Sequence, residues 1–331
     1  MQGNQAKEQW SSFSYCDMSF DFTQGKAVPR WVLLLPGAGC EWYKKTGGCT
    51  MCGFNQSTRL YTLGGRLLPS FVFNFLYWFG GRKARRVKPE QLTIYNGGSF
   101  LSDREIPLAF QLGVCEKVAR HESLKSLLVE SRAEFVTEGK LDQFLALLGG
   151  KKLWVAIGLE CVTDEIRNHY FRKGLSRESF ERAVKLLRDK GCSVLAYVFL
   201  KPLYLKEGEA IEEAVKTIEY AFRVGVSEVA LECAFVQQGT AAEISYRRGE
   251  FRPPRLWSVI EVAQRARSLG PVRIGGFSDE PPPIAIPENC PVCTPLVTNA
   301  IDEYRRTNSI SLFDGLTCGC RDDWKKEIQS P

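Results

Sequence analysis

Gly39-Cys40-Glu41-Trp42-Tyr43-Lys44-Lys45-Thr46-Gly47-Gly48-Cys49-Thr50-Met51-Cys52-Gly53-Phe54 follows an apolar run at residues 31–35 and carries three cysteines spaced C-x8-C-x2-C. A [4Fe-4S] cluster normally takes four thiolates. Three thiolates from one loop hold three irons and leave the fourth open to an exogenous ligand. S-adenosylmethionine (SAM) fills such a position through its amino and carboxylate groups, and radical chemistry follows from that pairing. A structural zinc knuckle would need a fourth Cys or His close by. The loop supplies neither, and His121 and His169 are the only histidines in the chain. The spacing favours the cluster.

Composition sets the bounds. The 331 residues suffice for one large domain with appendages, or for two domains. Lys and Arg outnumber Asp and Glu by 44 to 38, a net charge of +6 that permits an RNA partner without demanding one. Arg82, Lys83, Arg85, Arg86 and Lys88 form a local basic run, read equally well as a solvated loop or as a phosphate contact. Twelve cysteines behind a polar start at residues 1–10 point to reduced, metal-binding thiols in a cytoplasmic protein. The longest apolar stretch, residues 67–79, is interrupted by Pro69 and Asn74 and is too short to span a bilayer. It is expected as a buried helix or a cover over the cluster, and no membrane partner is expected.

Short apolar runs at 31–35, 92–95, 126–129, 154–158, 194–200 and 228–231 read as buried parallel strands. Amphipathic stretches lie between them. Thr137 and Gly149 bracket one helix, and Ser176 and Gly191 bracket the next. A third starts at Glu207 and ends before Gly225, and residues 257–266 read as another. Strand then helix, repeated about six times, is a parallel α/β architecture. Nearly every strand ends in polar or special residues, and strand ends of a barrel converge on one mouth. The expected fold is a partial (β/α)6 TIM-like barrel over residues 31–280, with an N-terminal extension at 1–30 and a cysteine-containing C-terminal extension at 281–331.

The chain resembles the radical SAM superfamily and, within it, the archaeosine-forming radical SAM lyases. The resemblance rests on Gly47-Gly48-Cys49-Thr50-Met51-Cys52-Gly53, Tyr95-Asn96-Gly97-Gly98-Ser99, Val129-Glu130-Ser131-Arg132, Ile157-Gly158-Leu159-Glu160, Lys173-Gly174 and Leu200-Lys201-Pro202. It continues through Arg248-Gly249-Glu250-Phe251-Arg252-Pro253-Pro254 and the cysteine-bearing tail, and so covers nearly the whole chain. Three positions depart from the family pattern. No Arg stands shortly before Cys40, Lys201 is followed by Pro202-Leu203, and the segment from Phe235 to Gln238 lacks an Asn. The resemblance implies that Cys40, Cys49 and Cys52 hold a [4Fe-4S] cluster whose open iron binds SAM. It further implies a lyase acting on tRNA in which 7-cyano-7-deazaguanine is already joined to lysine. SAM is cleaved to methionine and a 5′-deoxyadenosyl radical, which takes hydrogen from the lysine carbon next to nitrogen. The C–N bond then breaks, leaving archaeosine. A lysine-transferring subunit and an electron donor protein are the implied partners.

Residue roles follow. Gly97 and Gly98 let a backbone approach the SAM amino group, where a bare strand-to-helix turn is the plainer reading of a Gly-Gly pair. Ser99 adds a hydroxyl. Glu130 and Arg132 suit the ribose hydroxyls and the methionine carboxylate, against a structural ion pair for Arg132. Glu160, Lys173 and Lys201 are assigned to the substrate side, where a carboxylate and two ammonium groups can grip an amino-acid tail. Lys201 stands out, because Lys is rarely buried without a partner. Lys173 reads equally as an RNA-phosphate contact, and Glu160 as a cap for the helix after Thr163.

Cys290, Cys293, Cys318 and Cys320 form C-x2-C and C-x-C pairs in one short tail. Four thiolates close a tetrahedral zinc site, or hold an auxiliary iron–sulfur cluster. Two other functions remain compatible with the residues. One is a radical SAM enzyme acting on another nucleoside, small-molecule or natural-product substrate. The other is a zinc-binding RNA adaptor without catalysis.

Overall fold

The run at residues 31–35 falls at the end of a longer strand, β3 (Lys26–Leu34), because the strand before it pairs along that whole length. The computed structural model describes residues 8–11, 13–54, 62, 64–277 and 282–329. β1 (Glu8–Ser11) and β2 (Ser14–Asp21) form an antiparallel ladder with β3, from Ser14 opposite Leu33 to Asp21 opposite Lys26. The Asp21 carboxylate accepts from Thr23 N at 2.8 Å and Gln24 N at 2.9 Å, which fixes the turn. Much of the expected N-terminal extension is therefore sheet. The boundary expected at residues 280–281 lies outside the described residues.

The chain divides into two compact units. The first comprises residues 1–46, 54–157 and 182–194. From β3 its ladder runs in parallel through β4 (Gln91–Tyr95) and β5 (Ser126–Ser131) to β6 (Lys152–Glu160), with Val32 beside Thr93 and Leu128 beside Trp154. Its helices are α1 (Glu41–Thr46), α2 (Ser70–Val87), α3 (Leu108–Arg120) and α4 (Glu138–Leu148). α5 (Arg177–Asp189) follows. The second unit comprises residues 47–53, 158–181 and 195–331. In it β7 (Ser193–Leu200), β8 (Glu228–Cys233) and β9 (Val272–Ile274) run parallel. Its helices are α6 (Glu207–Arg223), α7 (Ala241–Arg247), α8 (Leu256–Ala266), α9 (Thr294–Thr307) and α10 (Cys320–Gln329).

Every strand from β3 onward is separated from the next by at least one helix, the repeating unit of a parallel barrel sheet. All six expected strands are present. The helix stops also behave as expected: Gly149 takes φ 57° after α4 and Gly191 takes φ 74° after α5, conformations that other residues adopt at a cost.

α2 departs from the expectation of a buried helix. One face packs on β2 and β3, where a Cβ at Gly80 would lie 2.7 Å from Ser14 Oγ and one at Gly81 3.1 Å from the Trp31 ring. Phe73 is buried against Phe110 of α3, ring centroids 5.3 Å apart, and Tyr77 stacks 5.0 Å from Trp31. The opposite face leaves Phe71, Phe75, Trp78 and Phe79 exposed, Phe71 by 72%. Among the described residues no helix is long and apolar enough to cross a membrane.

Candidate active site and metal centre

In the first unit the chain leaves β3, reaches Cys40 and enters α1. The Glu105 carboxylate holds this corner, accepting from Glu41 N at 2.9 Å and from Ser99 N at 2.5 Å. Burial pushes the Glu105 carboxyl up to about 7, against the pull of those two N–H groups. The Glu41 carboxylate in turn accepts from Ser102 Oγ at 2.6 Å. A Cβ at Gly98 would overlap the Glu105 carboxylate and stand 3.4 Å from Cys40 Cα. Gly97 takes φ 62°. The Gly-Gly pair therefore does more than turn the chain: it lets the end of β4 lie against the backbone that carries Cys40.

Ser99 and Arg132 belong to the same corner. Ser99 Oγ accepts from Arg132 N at 3.1 Å, tying the ends of β4 and β5 together. The Arg132 side chain is buried, donates to Glu134 at 2.6 Å and lies 5.0 Å over the Trp42 ring of α1. This arrangement contains the ion pair expected as the plainer role for Arg132. Glu130 is half-buried, and its carbonyl accepts from Phe100 N at 2.8 Å. Asn96, which precedes Gly97, is 2% exposed, and neither polar atom of its amide finds a partner among the described residues. An orphaned buried amide costs roughly 1–3 kcal/mol until a polar ligand satisfies it.

The second unit holds Cys49 and Cys52. Cys52 N donates to Cys49 O at 3.2 Å, closing a tight turn. Thr50 anchors the turn, its N–H donating to Phe171 O at 3.0 Å and its hydroxyl to Tyr170 O at 2.8 Å. Gly53 N donates to the buried Gln237 side chain at 2.8 Å, an approach that a Cβ on Gly53 would block. Cys49 packs against an apolar cluster that includes Met51, Phe171, Leu203 and Val236.

Glu160 and Lys173 meet here as an ion pair of 2.7 Å, with side chains 9% and 14% exposed. A Cβ at Gly158 would strike both charged groups, so a side chain there would displace the pair from its present position. Lys201 is engaged elsewhere: its ammonium pairs with Glu207, which also accepts from Arg255 N at 2.7 Å and Ser258 Oγ at 2.5 Å. Glu160 (φ 64°) and Lys201 (φ 67°) both hold left-handed backbone at strand ends, a strain that side-chain-bearing residues keep only where surroundings enforce it.

The tail cysteines converge. The Sγ atoms of Cys290, Cys293, Cys318 and Cys320 all lie within 4.8 Å of one another. Individual separations are 3.7 Å for Cys290–Cys293 and 3.5 Å for both Cys290–Cys318 and Cys293–Cys320. A tetrahedron with Zn–S bonds of about 2.3 Å has S–S edges of roughly 3.8 Å. Thiolates that cap separate irons of a cluster stand further apart. These sulfurs fit one ion. Trp257 Nε1 donates to Cys320 Sγ at 3.4 Å, and Trp324, on the helix that Cys320 opens, donates through Nε1 to Ser258 Oγ at 2.8 Å.

Glu105, Asn96 and Gln237 were not singled out by the sequence. Glu105 and Gln237 act on residues distant in the chain, and Asn96 alone left a clue, by preceding the Gly-Gly pair. In the first unit Cys40 is an unbridged, half-buried thiol with Gly98 admitted beside its backbone, and the orphaned Asn96 amide lies two residues before that glycine; in the second unit Cys49 and Cys52 are likewise unbridged and half-buried, the donor type an iron–sulfur cluster takes.

No family model matches the chain. It is 28% identical over 316 residues to archaeosine synthase subunit beta of Methanosarcina acetivorans, covering 93% of this chain and 88% of that one. Among solved structures, Elp3 of Methanocaldococcus infernus aligns with TM-score 0.52 at 20% identity, over 72% of this chain and 61% of the other. A radical SAM methyltransferase from Sphaerobacter thermophilus aligns with TM-score 0.50 at 13% identity, over 80% and 73%. The fold is therefore the partial α/β barrel of radical SAM enzymes with a C-terminal cysteine cluster, in a chain similar over nearly its whole length to archaeosine synthase subunit beta.

Proposed function

We propose that this protein is a radical SAM lyase that modifies tRNA, breaking the C–N bond between a lysine side chain and a 7-cyano-7-deazaguanine base to leave archaeosine. The observation that carries this reading is the near full-length likeness to archaeosine synthase subunit beta. Cys40, Cys49 and Cys52 hold the cluster, and Gly97, Gly98, Ser99, Asn96, Glu130 and Arg132 border the SAM side. When bound, the cluster and SAM supply a primary carbon radical that can take a hydrogen atom from an unactivated C–H.

The chain's own residues bind and orient. Glu160 holds Lys173 in place, and Lys173 presents its positive charge to the carboxylate end of an amino-acid tail. Fixing that tail limits which C–H reaches the radical, an orientational task that accounts for much of an enzyme's rate advantage. The Met51–Phe171–Val236 cluster keeps water from the Cys49 side.

RNA contact is supported by α2. Arg82 lies 5.1 Å over the exposed Trp78 ring, and the helix carries no acidic residue. Exposed rings stack unpaired bases and Arg side chains meet phosphates. A lysine-transferring subunit and an electron donor protein are the partners this reaction requires, and the unbridged thiols suit a reducing cytoplasm.

Anaerobic reconstitution tests the reading. The wild-type chain should convert SAM to 5′-deoxyadenosine under reductant, and Cys40→Ala, Cys49→Ala and Cys52→Ala should each abolish it. Full turnover by any of the three variants would refute the assignment. A colourless, zinc-only protein that binds tRNA would mark an adaptor instead. SAM cleavage without tRNA affinity would mark a small-molecule enzyme.

A further inference from the structure

The Glu160–Lys173 pair is charge-neutral, but a second carboxylate stands near it. Glu232 is the fifth residue of β8, and the β7–β8 register sets it beside Phe199. Neighbours in register on parallel strands face the same side of a sheet. Phe199 packs edge-on against Phe171 with ring centroids 4.9 Å apart, in the cluster that covers Cys49 and Met51. Glu232 therefore faces the side of the sheet that carries the Cys49 turn.

Among the described residues, none hydrogen-bonds or ion-pairs with the Glu232 carboxylate. The two nearby cations are spoken for. Arg273 donates to Glu228 at 3.1 Å, and Arg305 donates to Asp302 at 2.5 Å, to Ile274 O at 3.2 Å and to Gly275 O. Room for the carboxylate exists because residue 275 is glycine: a Cβ there would overlap it. Burial, and then repulsion from Glu160, push the Glu232 carboxyl up to about 7. With the Glu232 carboxyl ionised, Glu160, Lys173 and Glu232 together carry two negative charges and one positive. The group lacks one cation.

We propose that Glu232 receives the primary ammonium of an amino-acid substituent, while Lys173 receives its carboxylate; the substrate class named here, an Nε-substituted lysine, rests on the function proposed above. A free α-ammonium donates up to three hydrogen bonds and gives the Glu232 carboxylate the charged partner it lacks among the described residues. Specificity then lies in the polar site itself, since a substrate without the ammonium leaves Glu232 half-buried and unpaired.

The test is a binding measurement on the full chain, independent of turnover, with Nε-acetimidoyl-L-lysine and its analogue lacking the α-amino group as probes. The wild type should prefer the amino form by about ten- to a hundredfold, the weight of one charge-assisted hydrogen bond. Glu232→Gln, which keeps shape and removes charge, should erase the preference without changing affinity for the deaminated probe. A wild type that binds both probes alike, or binds neither, overturns the proposal. So does a Glu232→Gln variant that discriminates as well as the wild type. Retained discrimination without archaeosine formation would instead refute the lyase reading and leave the role of Glu232 standing.

Discussion

The Lys201 ammonium is bonded to the Glu207 carboxylate, and Glu207 ties that pair to Arg255 N and to Ser258 Oγ. The first residue after β7 is thus joined to α6 and, through Ser258, to α8. Ser258 Oγ also accepts from Trp324 of α10. Breaking one partner of a buried ion pair strands the other, at a typical loss of about 3–5 kcal/mol. Lys201→Ala should therefore lower the unfolding temperature by many degrees and reduce SAM cleavage and product formation together. An unchanged melting temperature with product formation alone abolished would return Lys201 to the substrate.

Gly98 is the most demanding small residue near Cys40. Gly98→Ala places a methyl group into Glu105 and against the Cys40 backbone, an overpacking that costs about 1–3 kcal/mol. Because the strain falls on the corner that carries a cluster ligand, bound iron and sulfide per chain should fall severalfold after reconstitution. Wild-type iron content would show that the corner yields without moving Cys40.

The tail site should behave independently. A Cys40/Cys49/Cys52 triple alanine variant is expected to keep one zinc per chain, and removal of that zinc by a strong chelator should lower the melting temperature. Retained iron and sulfide would mean a second cluster, contrary to the 3.5–3.7 Å sulfur separations. Retention of neither would refute the metal site.

Trp78→Ala should weaken tRNA binding about tenfold through lost stacking, and Arg82→Ala should reduce the salt slope by about one. Titration of labelled tRNA at several salt concentrations measures both. Unchanged affinity in both variants would leave the exposed face of α2 without an RNA role.

What the sequence disclosed was local. The cysteine spacing, the Gly97-Gly98 pair and the six apolar runs lie within short windows, and helix stops such as Gly149 declare themselves by residue type. What it withheld depends on residues far apart in the chain. Glu105 reaches Glu41 across 64 positions and Gln237 reaches Gly53 across 184. β2 becomes a strand through pairing with β3, and β1 through pairing with β2, while β9 has three residues, too few for a periodic signal. Apolar content at residues 67–79 suggested burial, yet it could not tell which face of α2 the sheet would cover. The sequence marked Lys201 as needing a partner without showing that its ammonium meets Glu207, on the helix that follows it.

The most direct test is nucleoside mass spectrometry of tRNA carrying the lysine-substituted 7-cyano-7-deazaguanine base, after anaerobic incubation with reconstituted protein, SAM and reductant. The account predicts loss of the lysine-bearing nucleoside and appearance of archaeosine, one per 5′-deoxyadenosine formed. Abundant 5′-deoxyadenosine with the lysine-bearing nucleoside untouched would contradict it.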